Sequence, residues 1–135
     1  MNKYMLPICA LVAATTVMLG ALGAHALKGI LQPTQLASFE TAVRYQFFHL
    51  LGLLITGILS LHYSNVSFRW VVRLFSWGIA LFSGSIYLII YFQHQVMELP
   101  RWLVLLTPLG GLCLTSGWVA MAITLYKSIA QKVEN

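Results

Sequence analysis

Four charge-free stretches of nearly one length constrain this chain more than any other feature. Between Lys3 and Lys28 lie 24 residues without Asp, Glu, Lys or Arg, and between Arg44 and Arg69 another 24. Arg73 to Glu98 encloses 24 more, and Arg101 to Lys127 encloses 25. A helix crossing a hydrocarbon core of about 30 Å needs about 20 predominantly apolar residues. Each stretch is therefore long enough for one crossing and too short for two. Backbone polar groups in lipid are satisfied only inside helices or closed barrels. The spacing predicts an all-α fold, a bundle of four transmembrane helices over about 5–26, 46–64, 71–92 and 102–126. Residues 1–135 then form a single integral membrane domain.

Composition supports that solvent. Only 8% of the 135 residues are charged and 59% are hydrophobic, whereas a soluble domain carries about 25% charged residues. So much apolar surface exceeds what one core of this size hides. The net charge of +5 does not point to nucleic acid, because the basic residues stand singly and make no stripe. In a membrane protein such an excess reflects topology and anionic headgroups. Cys9 and Cys113 sit deep in apolar runs without metal or redox spacing, which reads as small core-type packing.

The first span has a rival reading as a signal peptide, with Lys3 as its basic start and "AHA" at 24–26 as a loose cleavage site. Its apolar stretch is long for a signal sequence, and it is read as a retained helix. Orientation follows from counting Lys and Arg. Lys3, Arg69, Arg73, Lys127 and Lys132 fall on one side, and Lys28, Arg44 and Arg101 on the other. The positive-inside rule then places both termini in the cytoplasm.

The first connection carries its own pattern. Pro33 and Thr34 suit a helix start. Leu36, Phe39, Val43 and Phe47 recur at spacings of three or four, and Glu40 stands four before Arg44. These predict a short amphipathic helix at about 34–44, lying on the outer interface and running into the second span. Trp70 and Trp102 suit the aromatic belt. Small residues that permit close approach recur as Thr16–Gly20–Ala24, Ser76–Ala80–Gly84 and Ser116–Ala120–Thr124, with Gly110–Gly111 beside the last. Pro108 predicts a kink in the fourth span, with Thr107 near the carbonyls it frees.

Chain direction then groups polar residues by depth. His25 ends the first span on the outer side, and Tyr45, Gln46 and His49 open the second. Ser83, Ser85 and Tyr87 lie in the outer half of the third, and Thr107 a few residues into the fourth. The expectation is one polar cluster in the outer half of the bundle, with His25 packed near His49, Gln46 or Tyr45 and the Ser83–Tyr87 segment. Such a cluster is either interhelical hydrogen-bonding glue or a ligand-binding site. His62 and His94 are read as solvated and without a role. His25 and His49 supply the minimum of two imidazoles for a haem, but no third ligand stands near for zinc. No cofactor or metal is expected. Only Glu40, Glu98 and Glu134 are acidic, none falls within a span, and no acid–base pair or nucleophile motif is present, so the chain is not read as an enzyme.

"GALGAH" at 20–25, "YQFFH" at 45–49, "LFSGSIY" at 81–87 and "TPLGG" with "GW" within 107–118 occur in order and at family-like spacing. With these motifs the chain resembles the family catalogued as domain of unknown function 423, small YgdD- and YwdK-like bacterial inner-membrane proteins. The resemblance covers nearly the whole chain and implies four membrane spans. It brings no catalytic residues and no established function. Two readings remain: a non-enzymatic protein that binds a lipid or small apolar ligand in the outer half of the bundle, or an accessory subunit docked beside a larger membrane complex. A haem or metal carrier is the least supported. The partners expected are membrane lipids, other membrane proteins or a second copy, with no nucleic acid.

Overall fold

The computed structural model describes residues 4–63 and 67–133, with side chains as far as Ala130. Lys3, the side chain of Lys132, and Ser64 at the end of the expected second span lie outside the described residues. Four long helices follow one another: α1 (Met5–Ala24), α2 (Pro33–His62), α3 (Arg69–His94) and α4 (Arg101–Val133), with a 3-10 turn at Leu27–Gly29 between the first two. All four are long and apolar enough to cross a membrane.

The second helix departs from expectation. It begins where the sequence signal placed a start, at Pro33, whose fixed φ suits a first helical residue and whose missing N–H is not needed there. The Gln32 backbone N–H donates to the Gln35 side-chain oxygen across 3.0 Å and completes the start. From Pro33 the helix continues through Tyr45 without a break, so no separate interfacial helix exists at 34–44. The reason is that the apolar stripe meets protein and not the lipid surface. Phe39 and Ala42 are buried against Ile86 and Ile90 of α3, with Leu19, Leu27, Leu31 and Val43 beside them. An unbroken helix keeps its backbone bonds made in a low-dielectric medium, while Glu40 and Arg44 stay on its exposed side.

Successive helices run antiparallel and pack in chain order, α1 chiefly on α2, α2 on α3 and α3 on α4. Gly57, Gly20 and Gly23 of α2 and α1 mark the first seam, facing Leu6, Val43 and Phe39. Gly78, Gly110 and Gly117 mark the last, against Leu114, the Phe82 backbone and the Phe75 ring. A Cβ on Gly110 would fall within the Phe82 backbone, so α3 and α4 touch main chain to main chain there. The expected small-residue stripes are only partly used. Thr16 is buried and Gly20 half-buried, but Ser76, Ala80, Ser116 and Ala24 are exposed, and open space lies around Gly84. Stripe spacing locates a face without telling which of several faces meets a neighbour.

Two apolar cores result. One, towards the end that holds the chain termini, gathers Cys9, Leu50, Leu53, Phe68, Val71, Phe75, Leu114 and Met121. The other lies towards the opposite, distal end, around Phe39 and Ile86. Trp70 and Trp102 are exposed in the first turns of α3 and α4, and the Arg73 guanidinium lies 5.2 Å from the Trp70 ring centre.

Candidate functional site

Most of the polar residues meet at mid-height of the bundle. Because α2 spans Pro33–His62, its centre falls between Phe47 and Phe48, and Tyr45, Gln46 and His49 occupy its middle rather than its outer turns. The Gln46 amide donates from Nε2 to Thr16 Oγ1 of α1 at 2.6 Å, and Tyr87 of α3 donates its hydroxyl to Gln46 Oε1 at 3.0 Å. Thr16 passes its own proton to the Val12 carbonyl at 2.7 Å. This chain joins three helices and is buried at Thr16 and Gln46. Ser83 adds a third interhelical tie, donating to the Ala42 carbonyl at 2.8 Å, and Ser85 meets Thr107 of α4 at 2.7 Å. Thr107 thus bonds a side chain of α3 in place of the expected carbonyl beside Pro108, which sits inside a continuous α4.

His49 is buried one turn beyond Tyr45. Its Nδ1 lies 2.7 Å from the Tyr45 carbonyl, which only accepts, so the Nδ1–H donates to it. Aromatic rings enclose the imidazole, with Phe75 at 5.6 Å and Trp118 at 6.0 Å between ring centres.

His25 does not join this set. It is exposed at the C-terminal cap of α1. Thr16 pairs with Gln46, Gly20 with Val43 and Gly23 with Phe39, and the same register brings His25 level with Ala37. His49 lies twelve residues further along α2, about 18 Å at 1.5 Å per residue. The expectation of a His25–His49 pair is therefore overturned, and with it the geometry for a haem held between them. The error came from starting the second span near Gln46, which shifted its polar residues about three turns outward. Thr16, read only as a small packing residue, holds the place expected of His25.

No buried side-chain nitrogen or oxygen among the described residues lacks a hydrogen-bond partner. Each buried polar atom of the mid-height cluster thus has a partner, and the cluster ties helices together. Space for a ligand lies elsewhere, in a groove of about 550 Å³ at the distal end between α2, α3 and α4. Thr34, Gln35, Ala37, Ser38 and Thr41 line it from α2, Ile86, Ile89, Ile90 and Gln93 from α3, and Val104 and Thr107 from α4. Of the residues expected from sequence only Thr107 borders it. The polar positions of α2 recur at spacings of three and four, a signal legible only once 33–44 is known to continue the span.

The groove has an apolar wall and a polar wall. Gln35 Nε2 donates to Gln93 Oε1 across its upper part in a long bond of 3.4 Å. One turn below Ile86, the Phe82 ring stacks on Tyr45 with centres 4.8 Å apart. On its other side the same ring lies about 3.8 Å from where a Gly111 side chain would begin. Phe82 thus lies between α2 and α4, one turn below the α3 residues that line the groove.

The profile of the family described as "Protein of unknown function (DUF423)" matches residues 19–111. The chain belongs to this family. It is 34% identical over 127 residues to a UPF0382 membrane protein of Staphylococcus haemolyticus, covering 94% of this chain and 98% of that one. A UPF0382 membrane protein of Haemophilus influenzae is 35% identical over 127 residues, 94% of this chain and 96% of its own. The UPF0382 inner membrane protein YgdD of Escherichia coli is 30% identical over 122 residues, covering 90% and 88%. No solved structure matches the chain. This DUF423 member is thus a four-helix membrane protein from a family of unknown function.

Proposed function

We propose that this protein is a non-enzymatic membrane protein that holds a small apolar or amphiphilic molecule of the bilayer in the distal groove. The observation that carries the reading is the groove's build. At about 550 Å³ it falls within the size range of small-ligand sites, which pair apolar walls with a few placed polar groups. Ile86, Ile89, Ile90 and Val104 offer apolar contact, and Thr34, Gln35, Ser38, Thr41 and Gln93 offer hydrogen bonds. The mid-height polar network, in which each buried polar atom has a partner, is its scaffold: Ser85 fixes Thr107 at the groove's edge, and Ser83 fixes α3 on α2. With both termini cytoplasmic, the groove opens in the outer leaflet.

Native mass spectrometry of gently solubilised protein tests this. The wild-type protein retains an apolar or amphiphilic molecule that Ile89→Trp, which fills the half-buried middle of the groove, releases without loss of helical content. Equal retention by the variant overturns the reading.

A further inference from the structure

The groove's dimensions and charge go beyond the statement that something binds there. Resting on the reading above, we propose that the site takes one hydrocarbon chain bearing an uncharged, hydrogen-bonding head, and that the Phe82–Tyr45 stack is a stop that limits chain length.

Three observations carry this. The first is capacity. At about 30 Å³ per water-sized group, 550 Å³ holds about 18 non-hydrogen atoms, room within the groove for one chain with a small head. The second is depth. The α2 lining runs from Thr34 to Thr41, seven residues or about 10 Å, which is about a third of the 30 Å hydrocarbon core, and Tyr45 stands one turn below it. The groove therefore accepts a chain shorter than the depth of one leaflet. Below it the Phe82 ring lies between Tyr45 and the Gly111 surface, and the α3 and α4 backbones meet at Gly110.

The third is charge. Every polar group lining the groove is a neutral hydroxyl or carboxamide, and no Asp, Glu, Lys, Arg or His is among the lining residues. In a low-dielectric setting a charged head needs a partner of opposite sign. The bond from Gln35 to Gln93 is long and leaves the Gln93 amide hydrogens as donors for a head oxygen. Recognition thus falls on an ester, alcohol or amide oxygen.

Purified full-length protein and a series of octanoyl-, dodecanoyl- and hexadecanoylglycerol test the proposal, with dodecyl sulfate and dodecyltrimethylammonium as charged counterparts. Binding is read by native mass spectrometry. The expected profile peaks at a chain that fits above the stop, with hexadecanoylglycerol bound about tenfold more weakly because it overpacks the end at the stop. Tyr45→Ala, at a position 42% exposed and so tolerant of truncation, opens the stop and restores hexadecanoylglycerol to the level of the best wild-type ligand. Phe82→Leu, which keeps an apolar side chain at the α3–α4 seam, shifts the profile in the same direction. Binding that Ile89→Trp abolishes, but whose profile is flat or unmoved by both stop variants, overturns the stop and leaves the groove reading standing. Stronger binding of either charged probe than of dodecanoylglycerol overturns the uncharged head. Binding indifferent to Ile89→Trp overturns groove and stop together.

Discussion

Thr16 and Gln46 meet at the mid-height of the bundle, the Gln46 amide donating to the Thr16 hydroxyl across 2.6 Å. Gln46 also accepts from Tyr87 at 3.0 Å, so one side chain couples α1, α2 and α3. Interhelical hydrogen bonds in membranes contribute about 0.6 kcal/mol each. Gln46→Leu, which preserves volume and removes both bonds, is expected to cost about 1 kcal/mol, and Gln46→Ala more because a cavity is added. A double-mutant cycle of Thr16→Val with Gln46→Leu, read by unfolding in mixed detergent micelles, is expected to show coupling of about 0.5–1.5 kcal/mol. Additive effects would mean that the two side chains stabilise the bundle independently.

The glycines separate cleanly by what surrounds them. Gly110 faces the Phe82 backbone, which cannot move aside without parting α3 from α4, and Gly110→Ala is expected to cost about 1–3 kcal/mol. Gly84 has open space where a Cβ would stand, and there Gly84→Ala is expected to stabilise the helix by about 0.5–1 kcal/mol. Thermal melts of the two variants, side by side in one detergent, check the opposite signs.

The end of α3 holds the one described non-glycine residue with positive φ, Val96 at 54°. The Met97 N–H bonds back to the Phe92 carbonyl at 3.0 Å and the Val96 N–H to the Gln93 carbonyl at 3.2 Å, the pair of bonds of a Schellman ending. That ending favours glycine at the left-handed position, and a β-branched side chain there is disfavoured by about 1–2 kcal/mol. Val96 is 92% exposed, so no packing offsets the strain. Val96→Gly is expected to raise stability by about 0.5–1 kcal/mol after its greater unfolded-state entropy is counted, and Val96→Ile to give no gain.

How legible the fold was depended on which rule the residues obeyed. Four spans and an all-α class followed from the distances between charges, because lipid excludes charge and leaves few structural options. The length of α2 was hidden by the same rule. Glu40 and Arg44 interrupt the apolar run and suggest a boundary, yet on the exposed side of a helix they interrupt nothing. That misplacement carried into the site. Tyr45, Gln46, His49, Ser83, Ser85, Tyr87 and Thr107 were recognisable as polar residues within spans, and most are tied across helices. Their depth, the company of Thr16 and the exclusion of His25 depend on register, which spacing along one helix does not encode. The groove needs three helices in place before Gln35 and Gln93 come together.

The two histidines of the original pattern therefore separate experimentally. His25 is exposed, and His25→Ala is expected to change stability by no more than about 0.5 kcal/mol. His49 is buried among Tyr45, Phe75 and Trp118, and His49→Ala is expected to cost about 2–4 kcal/mol through the cavity left between those rings. Equal effects at the two positions would contradict the register of α1 on α2.

Orientation decides which leaflet the groove serves. By sequence, five basic residues (Lys3, Arg69, Arg73, Lys127 and Lys132) belong to the termini and the flanks of the second connection, and two (Lys28 and Arg101) to the first and third connections, with Arg44 near the middle of α2. Short-loop Lys and Arg bias insertion towards the cytoplasmic side, so both termini are expected there and the Gln35–Gln93 end outside. Green fluorescent protein joined after Asn135 is expected to fluoresce, and alkaline phosphatase at the same position to be inactive, with the pattern reversed for fusions in the turn after Lys28. Because the excess is only three charges, Arg69→Gln combined with Arg73→Gln leaves three against two, and the reporters are then expected to show mixed orientation. A wild-type protein with an active phosphatase at Asn135 would place the groove in the cytoplasmic leaflet, where its amphiphile would have to be drawn from the inner side.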